Sequence, residues 1–156
     1  DIANENPKIK CTANDICWFS VRKIIDKAQN NNVIFTNHDV ANLPYEKKFD
    51  TVIFKNTLHH FDSIAAEKLL KQLSGMVNKK LIVVDVEDPT KTGLIHKLWN
   101  TYYRIFLNDQ GENFWEYDQF EKLIDKILPG SKIKRIRTSR GNYMSAVYEK
   151  KGATNG

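Results

Sequence analysis

Strands alternating with helices predict an α/β protein: a mostly parallel sheet with helices on both faces, finished by a C-terminal antiparallel hairpin. Three observations carry this. Short apolar runs such as Leu81 to Val84 recur, and they are too continuous for strands with one wet face. Between them lie segments of about 12–15 residues with apolar residues at helical spacing. Near the C terminus two strand-like runs flank Gly141-Asn142, a dipeptide suited to a tight connection.

In chain order, Lys8 to Ala13 reads as a short strand ending at Asn14-Asp15. Trp18 to Gln29 is a helix by period, with Trp18, Val21, Ile24, Ile25 and Ala28 on one stripe, and Asn30 to Asn32 stop it. Val33 to Thr36 is the second strand, followed by a loop from Asn37 to Lys48 that contains Pro44. Thr51 to Phe54 is the third strand, its apolar run fitting a strand covered on both faces. Asp62-Ser63 caps a helix lined by Ala65, Leu69, Leu70, Leu73 and Met76. Leu81 to Val86 is the fourth strand. Gly93 to Leu107 is the next helix, with Leu94, Ile95, Leu98, Tyr102 and Ile105 on one face. Tyr117-Asp118 opens another, carrying Phe120, Leu123, Ile124, Ile127 and Leu128, and Pro129-Gly130 ends it. Ile133 to Thr138 and Tyr143 to Glu149 form the hairpin, with Gly141-Asn142 in the connection.

A chain of 156 residues fits one domain, placed at 1–150 with a disordered tail over 151–156. It is long enough to bury roughly 70% of its unfolded surface, so no disulfide or metal is needed for a core. No apolar run approaches the roughly 20 residues of a membrane-spanning helix. Cys11 and Cys17 form neither a CxxC pair nor a disulfide framework, and with four histidines they make no metal-ligand spacing. A reducing cytoplasm is the expected location. The 24 Lys and Arg exceed the 19 Asp and Glu by a net charge of +5. Part of this excess is Lys132, Lys134, Arg135, Arg137 and Arg140: either a phosphate-binding patch or the wet face of an edge strand. A nucleic-acid partner is therefore the secondary expectation and a small-molecule substrate the primary one.

In open α/β sheets ligands bind beyond the carboxyl ends of the strands. The residues there are Asn14-Asp15, Asn37-His38-Asp39, Lys55-Asn56-Thr57 with His59-His60, and Asp85 to Asp88. A carboxylate at Asp15 can accept from both hydroxyls of a ribose, or it can cap the helix that starts near Trp18. Asp39 can accept from the exocyclic amine of a purine, or close an Asx-turn. His59 and His60 have the residue type for a general base. Adjacent side chains on a helix point about 100° apart, so the two do not share a metal comfortably. The other reading is that one of them packs or caps the following helix.

Taken in order, these segments resemble the class I S-adenosylmethionine-dependent methyltransferases. Asn14-Asp15-Ile16-Cys17 is similar to the acidic end of the family's second strand. Asn32 to Asp39 followed by Leu43-Pro44-Tyr45, then Phe49-Asp50-Thr51-Val52, then Thr57-Leu58-His59-His60-Phe61, resemble its next strands and turns. Leu81 to Asp85 looks like its fifth strand, and Phe114 to Leu128 with the hairpin like its C-terminal portion. The resemblance covers residues 8–150 and implies a Rossmann-like fold with S-adenosylmethionine as cofactor. It implies that Asp15, with Ile16 beside it, binds the ribose and that Asp39 binds the adenine amine, with Val40 and Ala41 near the ring. Asn56 and Thr57 approach the methionine part, and His59, His60 and Phe61 face the acceptor. The implied reaction is in-line displacement at a methyl group on a sulfonium, where the protein contributes chiefly orientation. The aromatic residues Trp99, Tyr102, Tyr103, Phe106, Phe114, Trp115 and Tyr117 suit a lid over a planar acceptor, or plain helix packing.

The family's glycine-rich turn after its first strand has no counterpart here, since no two glycines are close enough to make a GxG. The sequence opens at Asp1 without a methionine. The resemblance therefore implies a partial domain lacking about 40–60 leading residues, its first strand supplied by another segment or chain. Little binding of S-adenosylmethionine by these residues alone is the corresponding expectation.

Overall fold

A computed structural model describes residues 2–17, 22, 25, 32–45, 48–91, 97–98, 101–102, 105, 111, 113–139 and 141–151. The helix expected over 18–29, most of that expected over 93–107, the aromatic residues Trp99, Tyr103 and Phe106, and most of the tail lie outside the described residues. The chain divides into two compact units, Asp1–Glu46 and Lys47–Gly156.

The first unit holds a one-turn helix α1 (Ile2–Glu5) and two strands, β1 (Cys11–Asn14) and β2 (Val33–Thr36). The strands run parallel, with Cys11 opposite Val33 and Asn14 opposite Thr36. β2 has the bounds its sequence predicts. β1 begins three residues later than expected, because the chain at Asn6 to Ile9 is turned, with the Ile9 N–H donating to Asn6 O at 3.0 Å. The Asn32 amide secures this turn by donating to Ile9 O at 2.8 Å and to Ala3 O at 3.1 Å. After β2, Val40–Asn42 forms a 3-10 turn capped by Asp39.

The second unit is a four-stranded sheet with two helices. Its elements are β3 (Phe49–Lys55), α2 (Ser63–Gly75), β4 (Val77–Val86), α3 (Tyr117–Ile127), β5 (Lys132–Thr138) and β6 (Gly141–Glu149). The strand order is β3-β4-β6-β5: β3 and β4 are parallel, while β6 runs antiparallel to both β4 and β5. The architecture is thus the mixed α/β one with parallel βα units and a closing antiparallel hairpin. Phe54, Val83 and Ala146 stand in one row across the sheet and are buried with Leu81 and Met144. α2 packs on β4, α3 on β6, and the two helices touch each other. Leu69, Leu70, Leu73, Phe120, Leu123 and Ile124 complete this core. Each such side chain contributes roughly 1.5–3 kcal/mol by leaving water.

Local signals explain the helix limits. The Asp62 carboxylate accepts from the Ala65 N–H at 2.8 Å and starts α2. The inward stripe contains Ala66 in place of the expected Ala65. α3 starts on Glu116, whose N–H donates to the Gln119 side chain at 3.1 Å, and ends before Gly130, which has a positive φ of 82°.

Three expectations are corrected. β3 is not enclosed on both faces: Ile53 is 51% exposed, because β3 forms the edge of its sheet. β4 begins four residues earlier than expected, since Lys79 and Lys80 pair with Asp50 and Glu149 and so keep their charges solvated at the sheet end. Gly141 and Asn142 belong to β6 rather than to the connection; Thr138 pairs with Gly141, and Ser139 lies in the turn. Among the described residues β1 and β3 each carry a strand on one side only.

Candidate active site

In the first unit, Asn14 ties the carboxyl ends of β1 and β2 together. Its amide donates to His38 O at 2.9 Å. Its Oδ1 accepts from the His38 N–H at 2.9 Å and from the Thr36 hydroxyl at 2.8 Å. The Asp15 N–H continues the ladder to Thr36 O at 3.2 Å. Asp15 and Asp39 therefore leave neighbouring strands at the same end of the sheet. Both are exposed. Asp15 Oδ1 accepts from the Cys17 N–H at 2.8 Å, and Asp39 Oδ1 from the Ala41 N–H at 2.9 Å. The Asx-turn reading thus describes their local geometry. It does not use up either group, because an ionised carboxylate has about four lone-pair sites. Ile16 is 69% exposed, while Val40 is half-buried beside Asp39. Two acceptor-only side chains with apolar neighbours fit a ribose diol and an exocyclic amine, which are donors.

In the second unit, the parallel pairing of β3 and β4 runs one bond past β3: the Asn56 N–H donates to Val84 O at 2.8 Å. Asn56 turns the chain there with a φ of 51°, a left-handed conformation that asparagine tolerates better than most residues. Thr57 folds its hydroxyl back onto Lys55 O at 2.9 Å. Leu58–His60 is a 3-10 turn with Leu58 fully buried. The two histidines then part company. His59 is 1% exposed, whereas His60 is exposed. His59 Nδ1 lies 2.6 Å from Asp85 Oδ1, and its backbone N–H donates to Asp85 Oδ2 at 3.0 Å. Its ring stacks on Phe114 at 5.0 Å with planes 5° apart, and its carbonyl accepts from the Asn113 N–H at 3.0 Å. Burying Asp85 requires such partners, since an unpaired buried charge is costly.

The sequence placed Asn14 and Asp85 to Asp88 at the ligand end of the sheet and Trp115 among lid aromatics, but it did not reveal Asn14 as a clamp, the pairing of Asp85 with His59, or the bridge between Glu87 and Trp115. The available signal was one carboxylate inside the apolar run Leu81 to Val86 and a second immediately after it. A charge in a buried strand needs a partner.

The methyltransferase domain family model matches residues 1–80. Among solved structures, magnesium protoporphyrin IX methyltransferase from Synechocystis PCC 6803, with bound SAH, is similar at a TM-score of 0.63 and 17% identity, over 96% of this chain and 78% of that one. An O-methyltransferase family protein from Burkholderia thailandensis has a TM-score of 0.69 at 14% identity, over 96% of this chain and 47% of that one. A protein from Pyrococcus horikoshii OT3 has a TM-score of 0.63 at 20% identity, over 96% and 76%. The chain thus spans under half the length of the Burkholderia relative. A search of curated protein sequences found no match. None of the described helices is long and apolar enough to cross a membrane. With the family model over half its length, the chain belongs to the methyltransferase domain family, and its fold is that of the solved methyltransferase neighbours.

Proposed function

We propose that the chain serves S-adenosylmethionine-dependent methyl transfer to a small-molecule acceptor in the cytoplasm. The observation that supports it most is the pair of exposed carboxylates, Asp15 and Asp39, leaving adjacent parallel strands whose ends Asn14 locks together. In this reading Asp15 accepts from the ribose hydroxyls, flanked by Ile16, and Asp39 from the adenine amine, with Val40 against the ring. Asn56 and Thr57 hold the methionine end. When bound, the cofactor supplies a methyl group on a positively charged sulfur. His60 and Phe61 face the acceptor, and His59, held by Asp85, fixes the turn that presents them. Two solved neighbours were crystallised with SAH and SAM.

A small acceptor is favoured over RNA or protein because Arg135, in the middle of the basic strand β5, is engaged by Glu87 at 2.8 Å. Steep salt dependence of acceptor binding would reverse that preference. A further strand from another segment or chain, seated on the open edge of β3, is part of the same proposal. So is weak cofactor affinity for the chain alone, given the absence of a glycine-rich turn; micromolar affinity would overturn that part.

The test is a titration with S-adenosylmethionine followed by amide chemical shifts, which read weak binding. The amides of Asp15 to Cys17 and Val40 to Asn42 are expected to move, and Asp15→Ala and Asp39→Ala each to weaken the response at least tenfold. If neither substitution changes it, Asp15 and Asp39 do not hold the cofactor; if neither changes methyl transfer by the intact protein, the enzyme reading fails and the chain is a non-catalytic interaction module.

A further inference from the structure

A second polar feature sits at the carboxyl end of β4, apart from the histidine turn. Glu87 follows β4 directly and is 7% exposed. One of its oxygens, Oε1, accepts from Arg135 Nη2 at 2.8 Å. That guanidinium is itself fixed, lying 4.4 Å over the Tyr117 ring. The other oxygen, Oε2, is buried with no hydrogen-bond partner among the described residues. Trp115, bridged in parallel to Glu87, has its indole Nε1 buried and likewise without a partner. The backbone around the pair is tied on both sides: the Glu87 N–H donates to Asn142 O at 2.9 Å, and the Asp88 N–H to Trp115 O at 3.0 Å. Bridged residues of parallel strands lie roughly 4.8 Å apart and send their side chains off the same face. One buried acceptor atom and one buried donor atom are therefore carried by neighbouring residues on the same face, at the sheet end where ligands bind in α/β folds.

Buried polar atoms in native structures are paired, so each such exception calls for an occupant. The pair selects its chemistry. An ammonium donates only and leaves the indole unpaired. A carboxylate or phosphate accepts only and is repelled by Glu87. A hydroxyl donates to Oε2 and accepts from Nε1–H with a single oxygen, and these two bonds nearly exhaust it. A buried water, which makes about 2–4 bonds, can meet the same two groups, and the experiment below separates it from an organic hydroxyl.

We propose that Glu87 and Trp115 form a binding subsite for the hydroxyl of a small organic molecule, with Arg135 holding the carboxylate in place. As the site of the methyl acceptor this rests on the methyl-transfer reading, and it names the acceptor class as a neutral alcohol or phenol.

Indole N–H resonances of nitrogen-15-labelled protein test this directly, because the chain has three tryptophans and Trp115→Phe assigns the relevant signal. Phenol is expected to shift the Trp115 resonance saturably. Anisole, which lacks the proton, is expected to bind at least tenfold more weakly, and Glu87→Gln to weaken phenol to a similar degree. An indole signal indifferent to phenol overturns the proposal, as do equal responses to phenol and anisole. A long-lived water that keeps its contact to the indole at high phenol concentration also overturns it. A parallel titration with S-adenosylmethionine separates the two readings. A phenol response without a cofactor response at Asp15 and Asp39 keeps the hydroxyl site and removes methyl transfer; the converse removes the hydroxyl site alone.

Discussion

His59 and Asp85, 26 residues apart in sequence, form a buried pair in which the carboxylate meets both the ring and the backbone of the histidine, at 2.6 Å and 3.0 Å. One oxygen also accepts from the Val86 N–H at 2.7 Å. The pair joins the turn after β3 to the middle of the sheet, and the Phe114 ring covers it. Asp85 thus fixes where Asn56, Thr57 and His60 stand without touching solvent itself.

Asp85→Ala removes the partner of three donors at once, the ring and backbone N–H of His59 and the N–H of Val86. It is expected to destabilise the protein by about 3 kcal/mol, the range for breaking a buried polar pair from one side. Asp85→Asn keeps the shape and is expected to cost less. Urea denaturation of both variants checks the order; equal midpoints for Asp85→Ala and the parent would show that the pair contributes nothing.

Asn56 holds a φ of 51° at the end of β3. Asn56→Gly is expected to leave stability nearly unchanged, since glycine enters this region freely. Asn56→Val is expected to cost roughly 1–2 kcal/mol through the clash of its branched side chain with the backbone. Thermal unfolding of the two variants provides the comparison, and a harmless valine would contradict the strained turn.

Gly141 opens β6 with a φ of 153°, and a Cβ built there meets nothing within 4 Å. Space alone would permit alanine. Backbone conformation forbids it, so Gly141→Ala is expected to lose about 1–3 kcal/mol despite the open surroundings. A neutral result by chemical denaturation would mean that the hairpin relaxes around the substitution.

Asp62 caps α2 with a 2.8 Å bond to the Ala65 N–H. Asp62→Ala is expected to cost about 1 kcal/mol, and Asp62→Ser much less, because serine is an equally good cap. Circular dichroism melts of the two variants distinguish loss of the cap from loss of charge.

What the sequence determined by itself is whatever depends on neighbours along the chain. β2 occupies the residues its apolar run predicts, α2 starts at its cap and turns Leu69, Leu70 and Leu73 inward, and α3 follows its stripe to Pro129-Gly130. The carboxyl-end positions of Asp15 and Asp39 were legible for the same reason, as strand ends punctuated by polar residues. Tertiary structure decided the rest. Ile53 is half exposed because its strand lies at a sheet edge, which no local pattern encodes. His59 and His60 read as equivalent neighbours until Asp85, brought up by β4, fixed one inside and left the other outside. Glu87 and Trp115 meet only because the chain returns to the end of β4 after a long excursion. Packing between distant segments sets the dielectric and the partners of a polar group, and with them its role; sequence spacing sets neither.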